Sequence, residues 1–320
     1  MIERLQIEAR PLRDGGPVLP RVALGCGNFG GIGSAPEFFG QGLSGDEASA
    51  LMDAAWELGI THFDTADAYG GGGSEQAIGA WMRSRGVRPT LTTKTFNPMA
   101  AGADRGLGPA RIRRRFSDSL ERLGVDNVEL YLAHDHDPDV PLAETFAAFA
   151  ELRTAGQIGA YGVSNFDASQ LELAVSAGAP AAVQNSYSLL QRHDGAEVLP
   201  LCGARGIAYL VYSPLCGGWL TGKYRRGAPY PAGSRMTQRP EPYAALATDR
   251  TFGALEALER FAAARGTSMA GTALAWLLAD GRIGQVVVGP ARPEHLEPVR
   301  EAFAAPLSAD ERRRVDEIFD

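Results

Sequence analysis

Asp64 closes a short apolar run at 60–64, and Tyr69 follows in the loop Asp64-Thr65-Ala66-Asp67-Ala68-Tyr69-Gly70. Lys94 closes the next such run and His134 the one after it. A lysine at the end of a buried strand is costly unless paired, and Asp64, at the same end of the preceding run, supplies the pair. An ammonium beside a phenol favours the phenolate and lowers its pKa from about 10. That tunes a tyrosine to donate a proton near neutral pH. A neutral imidazole at His134 can donate a hydrogen bond to a carbonyl oxygen. Each residue alone has a plainer role: a strand-end turn cap, a ring with a wet hydroxyl, a lysine that snorkels to solvent, a satisfied core histidine. A lysine in such a place also admits Schiff-base chemistry of the aldolase kind. Asp135, His136 and Asp137 follow His134 and are metal-ligand types. Strand alternation sends such neighbours in different directions, so no metal is expected.

Of the 31 cationic residues, only Lys94 and Lys223 are lysines. A GC-rich coding bias accounts for the excess of arginine. Under it, a lysine marks a place where a compact ammonium serves and a planar fork does not. Other polar groups stand on later runs: Ser164 and Asn165 after the fifth, Gln184 within the sixth, and Tyr212 at the end of the seventh, where its ring can stack on a planar ligand. Gly25-Cys26-Gly27-Asn28-Phe29-Gly30 matches the dinucleotide fingerprint G-x-G-x-x-G. The fingerprint needs a helix to begin there. No helical pattern starts before Ser44, which leaves a tight glycine loop able to approach a ligand closely.

The elements that must position these groups recur in order. Eight short, mostly β-branched or small apolar runs lie at 22–25, 60–64, 90–94, 128–134, 158–163, 182–187, 208–212 and 286–289, as strands buried on both faces require. Amphipathic stretches lie between them, at 44–58, from Pro109 to about 123, and at 141–154, 167–176, 252–265, 268–279 and 293–303. Ser44 and Glu47 form a capping-box signature. Strand–helix alternation implies parallel strands with right-handed crossovers. Eight units over 320 residues fit a single (β/α)8 barrel spanning 1–320, with an extension at about 1–21. A doubly wound sheet is the alternative. Long connections at about 96–107 and 216–249 follow strand ends, the face on which barrel enzymes build their sites.

Hydrophobic residues make up 45%, charged residues 22%, and the net charge is −7. This excludes a disordered chain and gives nucleic acid no basic surface. No run of 18 apolar residues is present, so no membrane partner is expected. The first ten residues carry no apolar leader core. Three scattered cysteines, Cys26, Cys202 and Cys216, suit neither a disulfide framework nor a zinc site. A reducing, cytoplasmic setting is expected.

Phe63-Asp64-Thr65-Ala66-Asp67-Ala68-Tyr69-Gly70, Gly162-Val163-Ser164-Asn165-Phe166 and Tyr212-Ser213-Pro214-Leu215 occur in this order. Together they strongly resemble the aldo-keto reductase family over nearly the whole chain. The resemblance implies a (β/α)8 barrel, an extended nicotinamide cofactor and reduction of a small-molecule aldehyde or ketone by hydride transfer. It implies a tetrad of Asp64, Tyr69, Lys94 and His134, with Tyr69 as general acid. It places Ser164, Asn165 and Gln184 at the nicotinamide carboxamide, Tyr212 on its ring, and Gly27 and Asn28 beside it. Ser213, Leu215, Gly217 and Lys223 fall at the pyrophosphate, and Gly289, Arg292 and His295 at the adenosine phosphate. Arg292 suits a 2′-phosphate and so NADP over NAD. The family's usual Gln there is His295, and its terminal Glu-Asn is Pro298-Val299. Phe29 and Trp219 become walls of the substrate pocket, with Tyr69 and His134 at its base. The resemblance also admits a non-catalytic NADP-binding redox sensor, as in channel-associated members. Substrate identity and oligomeric state are not legible.

Overall fold

The computed structural model describes residues 4–12 and 16–320. Two short strands, β1 (Ala9–Pro11) and β2 (Val18–Pro20), form an antiparallel hairpin ahead of the first expected strand. Eight further strands are parallel and close on themselves: β3 (Val22–Gly25), β4 (His62–Asp64), β5 (Thr90–Thr95), β6 (Val128–Ala133), β7 (Ile158–Ser164), β8 (Ala182–Ser186), β9 (Ala208–Tyr212) and β10 (Ile283–Val288), with β10 paired to both β9 and β3. Closure settles the choice between a barrel and a doubly wound sheet. Strand β10 begins three residues before its expected start. Gly284 and Gln285 interrupt the apolar run there, and Gln285 Nε2 donates to Pro20 O at 2.7 Å.

The helices are α1 (Gly45–Leu58), α2 (Gly73–Arg85), α3 (Pro109–Leu123), α4 (Leu142–Thr154), α5 (Ala168–Ala177), α6 (Val198–Arg205), α7 (Arg235–Gln238), α8 (Asp249–Ala264), α9 (Met269–Leu278), α10 (Glu297–Ala304) and α11 (Ala309–Phe319). The capping box at Ser44 and Glu47 is present at the start of α1, and among the described residues no α-helix precedes it, so the glycine fingerprint fails its context test. The expected helix at 293–303 divides into a 3₁₀ turn, Pro293–Leu296, and α10. Leu12 and Leu19 from the hairpin region pack under Leu130, Leu132, Ala160, Ala182 and Leu210 of the barrel. The hairpin thus covers the N-terminal end, and the strand C-termini are the end at which the candidate site lies.

His62, on β4, shows how closely the barrel wall is satisfied. Its Nδ1 pairs with Thr90 Oγ1 at 2.8 Å and its Nε2 with Thr92 Oγ1 at 2.9 Å. Burial, and then the charge on Lys94, lowers its pKa to about 3. Unfolded histidine titrates near 6.5. Between these values the unfolded chain takes up a proton that the folded chain refuses, so stability falls as pH drops from about 6.5 toward about 3. His62→Gln should flatten this acid limb in a series of melting curves across pH. A limb as steep as that of the parent would contradict the assignment.

Candidate active site

Strand β4 ends at Asp64, and the chain keeps strand-like pairing beyond it. Thr65 N donates to Thr92 O at 2.8 Å and Asp67 N to Lys94 O at 3.0 Å. The loop then turns through Tyr69, with Gly70, Gly71 and Gly72 all at positive φ. Gly70 has to be glycine, since a Cβ there would stand 2.6 Å from Phe29 O. These contacts hang Tyr69 above the ends of β4 and β5.

Lys94 has no exposed surface. Its Nζ donates to Asp64 Oδ1 at 2.5 Å and to Thr65 O at 2.9 Å, and lies 5.1 Å from the Tyr69 ring centroid. Gln184 Nε2, from β8 across the barrel, donates to Asp64 Oδ2 at 2.8 Å. Both carboxylate oxygens are therefore bonded. Burial works against the Lys94 ammonium, yet Asp64 and Tyr69 together hold its pKa above the usual lysine value. The shift favours the ammonium form, which disfavours Schiff-base attack.

Tyr69 departs from expectation. Burial raises its pKa above 10, Lys94 pulls it down, and Asp64 pushes it up again. The net shift is upward. The lysine moderates the cost of burying a phenolate without making phenolate the resting form. Tyr69 is thus a neutral phenol, the form that can donate a proton.

His134 sits just past the end of β6, its N–H bonded to Thr95 O at 3.0 Å. Its ring meets the Tyr69 ring edge-on, with centroids 5.4 Å apart. Burial, and then Lys94, holds its pKa well below 6.5, so the imidazole is neutral. Its Nδ1 is buried without a hydrogen-bond partner. The three residues after it diverge. Asp135 accepts from His136 N at 2.9 Å, the His136 ring faces Phe166, and Asp137 accepts from Leu107 N at 2.7 Å. Among the described residues no three His, Cys, Asp or Glu side chains gather as metal ligands.

Around this centre lies an arc of strand ends. Ser164 Oγ donates to Gln184 O at 2.8 Å, Asn165 Nδ2 to His134 O at 2.8 Å, and Tyr212 Oη to Asn165 Oδ1 at 2.6 Å. Gly27 lies against Tyr69, since a Cβ there would stand 3.5 Å from the ring. Asn28 Nδ2 donates to Pro290 O at 3.0 Å, tying the β3 loop to the segment holding Gly289 and Arg292. Among the described residues, the non-glycine residues at positive φ are Asn165, Ser213 and Cys216. All three stand on this arc. Such backbone costs roughly 1–3 kcal/mol per residue and tends to cluster at ligand sites.

The 216–249 segment is not a plain loop. It holds a 3₁₀ turn, Cys216–Thr221, the short α7, and another 3₁₀ turn, Ala244–Leu246. Tyr243 Oη is 3.4 Å from Ser213 Oγ, and its ring lies over Gly217. Leu215 O accepts from Gly218 N at 2.9 Å. The Lys223 ammonium end lies over Gly218. Two expected pocket walls lie inward instead: Phe29 and Trp219 have no exposed surface. Trp219 is enclosed by Tyr224, Tyr230 and Phe252, with centroids 5.1, 6.4 and 5.6 Å away. The rings of the long segment bury one another, which local pattern does not reveal.

Beyond β9 and β10 lies a group of cations. Partial burial, and then Arg235, lowers the Lys223 pKa; burial, then Lys223 and Arg292, lowers that of His295. Lys223 thus feels the charge of Arg235, and His295 that of Lys223 and Arg292. No carboxylate among the described residues forms an ion pair with Lys223, Arg235 or Arg292. Unpaired cations held together fit a polyanion such as a dinucleotide with its phosphates. Arg235 was not legible in the sequence. It opens a four-residue helix within a long irregular segment and carries no periodic signal.

A family model described as "Aldo/keto reductase family" matches residues 21–320. The chain belongs to the aldo/keto reductase family. Members are oxidoreductases that use nicotinamide cofactors. This aldo/keto reductase is 31% identical to the L-glyceraldehyde 3-phosphate reductase of Escherichia coli K12, over 91% of this chain and 86% of that one. It is 32% identical to a putative voltage-gated potassium channel subunit beta of Schizosaccharomyces pombe, over 87% and 86%. The solved glycerol dehydrogenase of Gluconobacter oxydans superposes with a TM-score of 0.82 at 28% identity, covering 98% of this chain and 94% of that one. Among the described residues no helix is long and apolar enough to cross a membrane.

Proposed function

We propose that this protein is an NADPH-dependent carbonyl reductase in which Tyr69 is the general acid. The observation that carries the reading is the fully buried Lys94, bonded to Asp64 at 2.5 Å and lying 5.1 Å from the Tyr69 ring. A buried ion pair is weak evidence for stability, but one placed beside a tyrosine at a barrel mouth has a chemical use. A reduced nicotinamide, when bound, supplies the hydride to the carbonyl carbon. Tyr69 gives its phenolic proton to the carbonyl oxygen as negative charge develops there. Lys94 stabilises the phenolate left behind, and Asp64, fixed by Gln184, keeps the ammonium in place. His134, neutral and uncharged toward the substrate, donates a hydrogen bond that orients the carbonyl oxygen.

Gly27, Asn28, Ser164, Asn165, Gln184 and Tyr212 would hold the nicotinamide end of the cofactor. Ser213, Leu215, Gly217 and Lys223 would meet the pyrophosphate. Arg235, beside Lys223, would join it there, and Gly289, Arg292 and His295 would meet the adenosine phosphate. With each of NADPH and NADH, a panel of aldehydes and ketones should be reduced faster with NADPH, read as loss of nicotinamide absorbance. Arg292→Ala should raise the KM for NADPH about 10- to 100-fold, the range expected for a lost charge-assisted hydrogen bond, and leave that for NADH nearly unchanged. Equal effects on both cofactors would refute the 2′-phosphate assignment. Tight NADPH binding with no turnover on the whole panel would refute the enzyme reading.

A further inference from the structure

We propose that Arg111 and Thr95 are positioning residues that couple the loop 96–107 to the segment carrying Tyr69, by way of the buried Asp67. The role in catalysis rests on the reductase reading; the structural coupling does not.

Arg111 lies in the first turn of α3 and is 7% exposed. Its guanidinium is the hub around which the loop closes. Nη1 donates to Gly106 O at 2.9 Å, and Nη2 to Asn97 O at 2.8 Å and Asp104 O at 3.3 Å. Nε stands 3.4 Å from the Asp104 carboxylate. Carbonyls from both arms of the loop thus converge on one side chain, while Gly106 N closes the loop onto Phe96 O at 2.8 Å.

The same guanidinium faces the catalytic centre. Arg111 Nη1 also donates to Thr95 Oγ1 at 2.9 Å, and Thr95 Oγ1 donates to Asp67 Oδ2 at 2.6 Å. Thr95 and Asp67 have no exposed surface. Thr95 follows Lys94, and its carbonyl accepts from His134 N. Asp67 lies two residues before Tyr69. One hydroxyl therefore joins the loop hub to the backbone segments that carry three of the four candidate catalytic side chains. Asp67 Oδ1 is buried with no hydrogen-bond partner among the described residues, so Thr95 Oγ1 is the side-chain group that holds this carboxylate.

The loop carries a built-in probe, because Arg105 is exposed and its following bond is a trypsin site. Thr95→Val removes the hydroxyl at nearly constant volume. Trypsin cleavage after Arg105 should then accelerate about tenfold, as expected when a locally closed segment opens more often. The KM for a bulky ketone should rise about tenfold, a larger factor than the fall in kcat on a small aldehyde. Thr95→Ser should restore both. Arg111→Lys, which keeps the charge and loses the fork, should release the loop as Thr95→Val does and serves if the latter folds poorly. Parent-like cleavage and KM in Thr95→Val, or a Thr95→Ser variant as impaired as Thr95→Val, would overturn the proposal. The proteolysis arm needs no turnover, so it decides the coupling even if the reductase reading fails.

Discussion

Tyr69→Phe should lower kcat for carbonyl reduction by about 10²- to 10⁴-fold, the usual contribution of a positioned general acid. The dissociation constant for NADPH should change by less than about twofold, since binding and proton donation fall to different atoms. The ring is placed by contacts that phenylalanine retains. It packs near Gly27, meets His134 edge-on at 5.4 Å, and keeps its face 5.1 Å from Lys94 Nζ. Only the hydroxyl is lost, so a large fall in kcat reads the proton and not the scaffold. A second consequence concerns pH. The phenol donates only while protonated, and its pKa is held above 10 by burial against the opposing pull of Lys94. The Tyr69 contribution to kcat/KM for reduction should be flat through neutral pH and fall only above about 10, its unperturbed value. Stopped-flow fluorescence titration of NADPH and initial-rate assays across pH separate the two readouts. Undiminished turnover in Tyr69→Phe would remove tyrosine from the mechanism.

Much of the positioning was legible because a parallel barrel converts order along the chain into place. All eight strands run one way, so a polar residue at the end of an apolar run must emerge at the same mouth. Asp64, Lys94 and His134 were found by that rule alone, and α1 by its Ser44 and Glu47 box. Contacts across the barrel were not legible. Gln184 lies 120 positions from Asp64, and nothing local marks its amide as the second partner of that carboxylate. Helix α2 carries no local start signal, because it issues from the run Gly70-Gly71-Gly72-Gly73, which reads as a turn. Arg235 and Trp219 mark the same boundary from another side. Their placement depends on how a long segment folds on itself, and that is settled by ring packing among residues such as Tyr224, Tyr230 and Phe252 rather than by any period. The direction of the Tyr69 shift is hidden from the sequence for a related reason: spacing brings the lysine close, but only the fold sets how far burial opposes it.

Lys94→Arg should keep the charge and still lower kcat by about 10²-fold or more, since a misplaced partner costs the enzyme the stabilisation of the forming phenolate. Lys94 sits in a space with no exposed surface and ends between Asp64 Oδ1, Thr65 O and the Tyr69 ring. A guanidinium is wider, and its planar fork matches a carboxylate side-on rather than as a point. Forcing it in displaces Asp64 or Tyr69 and costs roughly 1–3 kcal/mol in overpacking. Lys94→Met makes the complementary change. It fills similar volume but strips the charge, leaving Asp64 buried with Gln184 as its side-chain partner, a loss of about 3–5 kcal/mol for a broken buried pair. The two variants therefore separate stability from chemistry. If the lysine served only to neutralise Asp64, Lys94→Arg would retain activity and Lys94→Met would merely melt earlier. If it serves the tyrosine, both lose turnover while Lys94→Arg remains the more stable. Thermal denaturation alongside initial rates with NADPH decides between them, and an active Lys94→Arg enzyme would show that a point charge at this position is not required.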